Sequence, residues 1–277
     1  MVPFRPRFLA RRIANPGYYR KLSRVLAHPS AFFSILLAKM LPRVSTRPID
    51  LKLKDGKILR IREFWALFLF DEIFIDNCYE SPEILALGPF ETIIDIGANI
   101  GFFTVRAKQL WPQARIVSLE PHPTNFEHLR EHIELNHLTG VQPLNVGVAE
   151  KCGCLDLYLS PRNIGGHSMY KKEGEAKISV PIISLADVLT RTNSNGTGLL
   201  LKIDCEGCEH AILSNLTQDM ADRVACIIFE PERSLYDLKD LLDKLEQLGF
   251  ETTEFGELVV ASRLPAKANA SRSVGVR

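Results

Sequence analysis

Three clusters of polar residues in this 277-residue chain have types and spacings suited to chemistry. The densest is Leu201-Lys202-Ile203-Asp204-Cys205-Glu206-Gly207-Cys208-Glu209. Read as a strand that runs into a turn, it puts Lys202 and Asp204 on one face. A lysine and a carboxylate in a buried strand are expensive to desolvate unless they satisfy each other, and that cost is most often met at a functional site. Glu206 and Glu209 follow at once, and Glu230 closes a later apolar run. Such carboxylates can take a proton, accept hydrogen bonds from hydroxyls or hold a divalent cation. A structural ion-pair network is the alternative reading of the same residues.

The second cluster is Asp95-Ile96-Gly97-Ala98-Asn99-Ile100-Gly101, where an apolar run gives way to a helical one. Ligands of open α/β sheets bind at such strand ends. Gly97 permits a tight turn and Gly101 a close helix approach. The dinucleotide fingerprint needs glycine at 99 and 102, which are Asn99 and Phe102, and no Gly-Lys-Ser/Thr follows as in a P-loop. The turn is therefore unsuited to a pyrophosphate, and Asp95 suits a cationic ligand. S-adenosylmethionine has an amino group, a sulfonium charge and no phosphate. The third cluster, Leu119-Glu120-Pro121-His122-Pro123, lies 25 residues after Asp95. A carboxylate at the end of the next strand can accept hydrogen bonds from both ribose hydroxyls. His122 and His128 read as surface residues.

These clusters need elements to hold them. From residue 91 the chain alternates apolar strands and helices, with strands predicted at 92–96, 114–120, 141–148, 199–204 and 224–230. Helices are predicted at 101–110, 123–138, 184–190, 209–216 and 234–248. Segments 155–159 and 177–183 read as antiparallel strands around a Gly-containing loop, and 250–262 as a final hairpin. Such alternation implies a mostly parallel sheet with helices on both faces. Upstream, apolar positions at helical spacing over 18–41 are divided by Pro29 into two helices. A hairpin around Asp55-Gly56 would put Leu51 and Leu53 on a face with Leu59 and Ile61. Residues 64–70 read as buried. The organisation is then an extension over 1–90, a cofactor-binding domain over 91–262 and a flexible tail over 263–277. The first seventeen residues read as weakly ordered.

Hydrophobic residues make up 46% and charged residues 24% of the chain, which excludes wholesale disorder, a fibrous protein and a disulfide scaffold. No run reads as a bilayer span or a secretory signal, so a cytoplasmic location is expected. The net charge of +1 hides an asymmetry. Ten Lys and Arg residues and no acid precede Asp50, and the remainder is net acidic. An acidic body argues against a nucleic-acid-binding face there. Residues 1–47 either pack on the domain or form a basic amphipathic contact with an anionic membrane surface. Six cysteines include Cys152-Gly-Cys154 and Cys205-Glu-Gly-Cys208. Their spacing is poor for zinc, and free thiols are expected.

Asp95-Ile-Gly-Ala-Asn-Ile-Gly-Phe-Phe-Thr, Leu-Glu120-Pro-His-Pro, Asn136 and Leu-Lys202-Ile-Asp-Cys-Glu-Gly-Cys-Glu209 together resemble the FkbM family of S-adenosylmethionine-dependent methyltransferases. The resemblance covers roughly 70–262. It implies the class I methyltransferase fold, a Rossmann-like, mostly parallel seven-stranded α/β sheet with one antiparallel strand. It implies O-methylation of a hydroxyl on a sugar, glycolipid or polyketide-like small molecule. By position, Asp95, Gly97, Ala98, Asn99 and Gly101 would line the methionine part of the cofactor. Glu120 and Pro121 would lie at the ribose, and Asn145 and Val146, with the two residues after them, near the adenine. Asp204 would face the transferred methyl. Gly165-Gly166-His167-Ser168 falls at a family Gly/Ser loop, either a substrate lid or a plain connection. Asp204 is then the expected base, with Lys202 setting its charge state. Glu206, Glu209 and Glu230 would bind acceptor hydroxyls or a divalent metal. A non-catalytic module with a vestigial cofactor pocket and an NAD-dependent oxidoreductase are the competing readings.

Overall fold

A computed structural model describes residues 15–40, 47–160, 167–169, 176–192 and 198–263. The arm before residue 15, Gly165-Gly166 and the tail after residue 263 lie outside the described residues. The chain divides into two compact units between Asn77 and Cys78.

In the first unit, helix α1 (Pro16–Val25) starts at Asn15, whose side chain accepts the Gly17 N–H at 2.8 Å. Helix α2 (Pro29–Met40) follows. Strands β1 (Ile49–Lys52) and β2 (Ile58–Ile61) pair antiparallel with Leu51 opposite Leu59. The Leu53 N–H donates to Lys57 O at 2.8 Å and closes a three-residue turn. That turn keeps Leu51, Leu53, Leu59 and Ile61 on one face, and all four are buried. The apolar run after residue 64 becomes helix α3 (Ala66–Phe70), which passes into a π-helical turn, Asp71–Ile75. Asp71 is buried there and accepts the Tyr18 O–H at 2.7 Å.

The second unit opens with helix α4 (Pro82–Leu87), capped by Ser81. This helix packs on the sheet, so residues 78–90 belong with it rather than with the extension. Seven strands follow the order β11 (Glu251–Phe255), β12 (Leu258–Ser262), β10 (Val224–Phe229), β9 (Leu199–Ile203), β3 (Thr92–Ile96), β4 (Arg115–Leu119), β5 (Val141–Leu144). All neighbours are parallel except around β12, which runs antiparallel to both β10 and β11. The order reverses between β3 and β9, the kind of position where open α/β sheets bind ligands. Alternation sends Ile94, Ile96, Leu201 and Ile203 to one face. There they pack with helices α7 (Leu185–Arg191), α8 (Glu209–Ser214) and α10 (Leu238–Gln247). Asp95 and Lys202 point to the other face, where Thr104 of helix α5 (Phe102–Leu110) meets them.

Three local expectations change. The run 141–148 is two strands: β5 stays in the main sheet. β6 (Gly147–Ala149) leaves it to join β8 (Lys177–Ser184) and β7 (Gly153–Tyr158) in a separate three-stranded sheet. The break falls at Asn145, whose side-chain amide donates to Glu120 O at 2.8 Å and Pro121 O at 3.1 Å. Helix α10 begins at Leu238, because the Asp237 side chain accepts the Lys239 N–H and sets the start there. Helix α6 (Pro123–Leu135) stops three residues early, with Asn136 as its cap. A short helix, α9 (Gln218–Ala221), capped by Thr217, was not anticipated.

Candidate active site

A buried polar row crosses the sheet. Strand register sets Ser118, Asp95 and Lys202 side by side on β4, β3 and β9. Asp95 is wholly buried. Its Oδ2 accepts the Thr104 O–H at 2.8 Å, and its Oδ1 lies 3.0 Å from the Lys202 ammonium. Thr104 also shares a hydrogen bond of 2.9 Å with Ser118. Lys202 donates to Gly97 O at 2.8 Å and lies 3.7 Å from Asp204. The rings of Tyr79 and Phe103 stand 5.8 and 5.6 Å from it. Burial alone would lower the Lys202 pKa, but the charges of Asp95 and Asp204 outweigh it and hold the group above its ordinary value. A desolvated pair completed in this way can persist in a core. The geometry therefore reassigns Asp95. Its charge is met by Lys202 and its side chain has no exposed surface, so it anchors the lysine and does not face a cationic ligand.

The turns after β3 and β9 cross at van der Waals contact. Gly97 has φ +75°, and a Cβ there would stand 1.8 Å from Asp204 O. Only glycine fits that crossing. The Ala98 N–H donates to Leu119 O at 2.9 Å, so this buried residue serves the turn. Asn99 is left-handed, with φ 50°, and its own side chain accepts the Ile100 N–H. Gly101, with φ +88°, starts α5 and sits so near Leu129 that a Cβ would reach within 2.7 Å of it.

Glu120 is held from two sides. Its carboxylate accepts the Asn99 and His122 N–H groups, each at 2.8 Å. Burial pushes its pKa up to about 7 in spite of those bonds. Gly97, Asn99, Glu120, Pro121, Asn125 and Asp204 line one cleft with Leu119, Val148, Leu157, His167 and Met169. Gly147 and Val148 reach this cleft, whereas Asn145 turns its amide back to the Glu120–Pro121 backbone and Val146 packs against the core. The His122 ring accepts the Asn125 N–H, capping α6, and stacks on His167 at 4.3 Å.

At the other edge of the cleft stands Asp204, a third exposed. Its Oδ2 accepts the Tyr79 O–H at 2.8 Å. Tyr79 is buried against Phe103, with centroids 4.8 Å apart. Its segment is tied by Arg106, which donates to both oxygens of Glu80 at 2.7 and 3.0 Å. Burial and the neighbouring Asp204 charge raise the Tyr79 pKa well above its ordinary value, so the phenol remains a donor. Sequence reading passed over Tyr79, because nothing local to residues 78–81 signals a partner 125 residues away. Thr104 and Ser118 were missed for the same reason.

The remaining carboxylates do not converge. Glu206 lines the cleft with a left-handed backbone, φ 54°, and its carbonyl accepts the Ser168 O–H at 2.7 Å. Glu209 turns inward instead. Its Oε1 accepts the Cys205 and Gly207 N–H groups at 3.2 and 3.1 Å, so it braces its own loop and is closed to an acceptor. Glu230, exposed just after β10, lies outside the cleft lining, though its charge is felt at Tyr79. Among the described residues no group of three His, Cys, Asp or Glu side chains is arranged to hold a metal. The turn into α8 brings Cys205 and Cys208 together, with Cα atoms 5.7 Å apart. Cys152, Cys154 and Cys226 form no disulfide, and burial pushes Cys226 up to about 12.

The residues suit S-adenosylmethionine. Gly97 lines the cleft with bare backbone, Glu120 offers acceptor oxygens for vicinal hydroxyls, and Leu119, Pro121, Val148 and Leu157 supply apolar walls for a flat ring. This sheet order, with one reversed strand and carboxylate-tipped turns at adjacent strand ends, defines a class I methyltransferase that uses S-adenosylmethionine. The chain belongs to the FkbM family: the Methyltransferase FkbM domain matches residues 95–252. It is 30% identical over 223 residues to Methyltransferase sdnD of Sordaria araneosa, covering 70% of this chain and 85% of that one. It is 29% identical over 205 residues to Methyltransferase 1 of Beauveria bassiana, covering 66% and 80%. It is 26% identical over 212 residues to the 31-O-demethyl-FK506 methyltransferase FkbM of Streptomyces tacrolimicus, covering 65% and 80%.

Proposed function

We propose that this protein transfers the methyl group of S-adenosylmethionine to a hydroxyl oxygen of a sugar, glycolipid or polyketide-like small molecule. The observation that carries the proposal is Asp204, a cleft carboxylate held by the Tyr79 phenol and backed by the Lys202 cation. The name of the Streptomyces relative, which specifies a 31-O-demethyl compound, is in keeping with an oxygen acceptor.

When bound, the cofactor supplies an electrophilic sulfonium methyl. An alcohol is a weak nucleophile while it keeps its proton, so a positioned base assists the transfer. Tyr79 donates to Oδ2 of Asp204 and leaves Oδ1 for the acceptor hydroxyl. Asp204 takes that proton as the oxygen becomes methylated. Lys202 stabilises the carboxylate before the transfer and is itself fixed by Asp95. Glu206, at the rim, binds further hydroxyls of the acceptor. Gly97 and Glu120 would hold the cofactor beside Asp204 in the same cleft.

The test is a panel of hydroxylated acceptors incubated with S-adenosylmethionine, with S-adenosylhomocysteine release and the methylated product read by mass and NMR. An O-methyl product is expected. Asp204→Asn should lower kcat by about 100-fold or more, on the scale of general-base catalysis, while cofactor affinity stays within about threefold. Methylation at nitrogen or carbon, or full turnover by Asp204→Asn, contradicts the proposal.

A further inference from the structure

Helix α2 carries an exposed apolar stripe beside its buried one. Phe32, Ile35 and Leu36 are buried in the first unit. Phe33, Leu37 and Met40 are spaced i, i+4 and i+7, so they form a second stripe that flanks the buried one. Leu37 and Met40 are each 64% exposed. Tyr19 of α1, itself 52% exposed, stacks on Phe33 with ring centroids 6.3 Å apart, which carries the stripe onto a second helix. Single exposed apolar residues are ordinary, but a contiguous stripe marks a contact surface.

The charge around the stripe indicates what it contacts. Arg20 and Arg24 lie one turn apart on α1, and both are exposed, as is Arg47. None of the three forms an ion pair among the described residues. Over the first 49 residues the chain has ten Lys and Arg and no Asp or Glu. No helix among the described residues is long and apolar enough to cross a membrane. We infer that the N-terminal unit docks on an anionic lipid surface. Tyr19, Phe33, Leu37 and Met40 enter the boundary between headgroups and acyl chains, and Arg20 and Arg24 meet the headgroups. Apolar insertion and cationic attraction together give the two signals that stable peripheral binding requires. A second copy of the chain would bring like charges together. Nucleic acid would meet the arginines and leave Leu37 and Met40 in water. The inference is independent of the reaction proposed above.

The test is flotation of the full chain with phosphatidylcholine vesicles, with and without phosphatidylglycerol. Leu37→Ser/Met40→Ser and Arg20→Glu/Arg24→Glu alter exposed positions only, and circular dichroism checks that both fold. The full chain is expected to float with the anionic vesicles and to sediment with neutral ones. Each double variant should weaken partitioning by about tenfold or more, and salt should weaken the binding of the intact chain. Sedimentation with anionic vesicles overturns the inference, as does flotation undiminished in both variants. A dimer dissolved by Leu37→Ser/Met40→Ser without vesicle binding would assign the stripe to a second copy. Duplex DNA binding without vesicle binding would assign the arginines to nucleic acid. Either outcome overturns the inference.

Discussion

Glu120 lies in the turn that leaves β4, and Glu209 opens α8 directly after the turn that leaves β9; β4 and β9 are the two strands flanking β3. Each is buried, each accepts two backbone N–H groups, and burial pushes each up to about 7. They differ in what is left over. Glu120 lines the cleft and keeps lone pairs for a ligand. Glu209 gives Oε1 to both loop N–H groups, and its Oε2 is sealed with no hydrogen-bond partner among the described residues. The same side chain with the same shift therefore serves a ligand in one turn and the loop itself in the other. A perturbed carboxylate alone does not identify a binding group; access to the cleft does.

The largest effect is expected where the β3 and β9 turns cross. Gly97→Ala forces a left-handed alanine and a clash with Asp204 O. A loss of about 4 kcal/mol or more in unfolding free energy is expected, the range of diagnostic single substitutions. Chemical denaturation would read it, and a near-neutral result would mean that the crossing is looser than described. Glu209→Ala comes next. It strands the Cys205 and Gly207 N–H groups and should cost about 2–4 kcal/mol, with cofactor affinity changed far less than stability. Glu120→Ala should reverse that balance, weakening cofactor binding by about 10- to 100-fold, the scale of charge-assisted hydrogen bonds, with a smaller loss of stability. If both variants shift stability and affinity alike, the distinction between the two turns is lost.

Smaller effects follow from pH. Both glutamates have folded pKa values above the ordinary 4.5, so the folded state holds protons that the unfolded state releases. Stability is then greatest below about pH 4.5 for these two groups and declines as pH rises through about 7. Thermal unfolding of Glu209→Gln should show a shallower decline over that window than the parent chain. Cofactor affinity runs the other way, because the Glu120 carboxylate must be ionised to accept two hydroxyl donors. Affinity should strengthen by up to about tenfold per pH unit below 7 and level off above it. Glu120→Gln should abolish that dependence, whereas an unchanged profile would remove Glu120 from the ribose role.

Much of this was legible in the sequence because it depends on local pattern. Strand 92–96, the turn of Gly97, the break at Pro29 and the hairpin carrying Leu51 and Leu59 follow from periodicity and turn chemistry. Alternation alone put Lys202 and Asp204 on one face. What the sequence concealed depends on register between distant strands. Pairing of Asp95 with Lys202 across β3 and β9 turns an apparent ligand carboxylate into a buried anchor. Tyr79 and Thr104 acquire roles only when the sheet brings Asp204 and Asp95 to them. Glu209 read like its neighbour Glu206 until the start of α8 turned it back on its own loop. Asn145, expected beside the adenine, instead holds the Glu120 turn and ends β5.

The most direct test is calorimetric titration of S-adenosylmethionine into the full chain, Glu120→Gln and Glu209→Gln at one pH above 7. The account predicts micromolar binding to the full chain, binding about tenfold or more weaker in Glu120→Gln, and near-native binding in Glu209→Gln. Absence of binding to the folded chain, or equal losses in both variants, would contradict it.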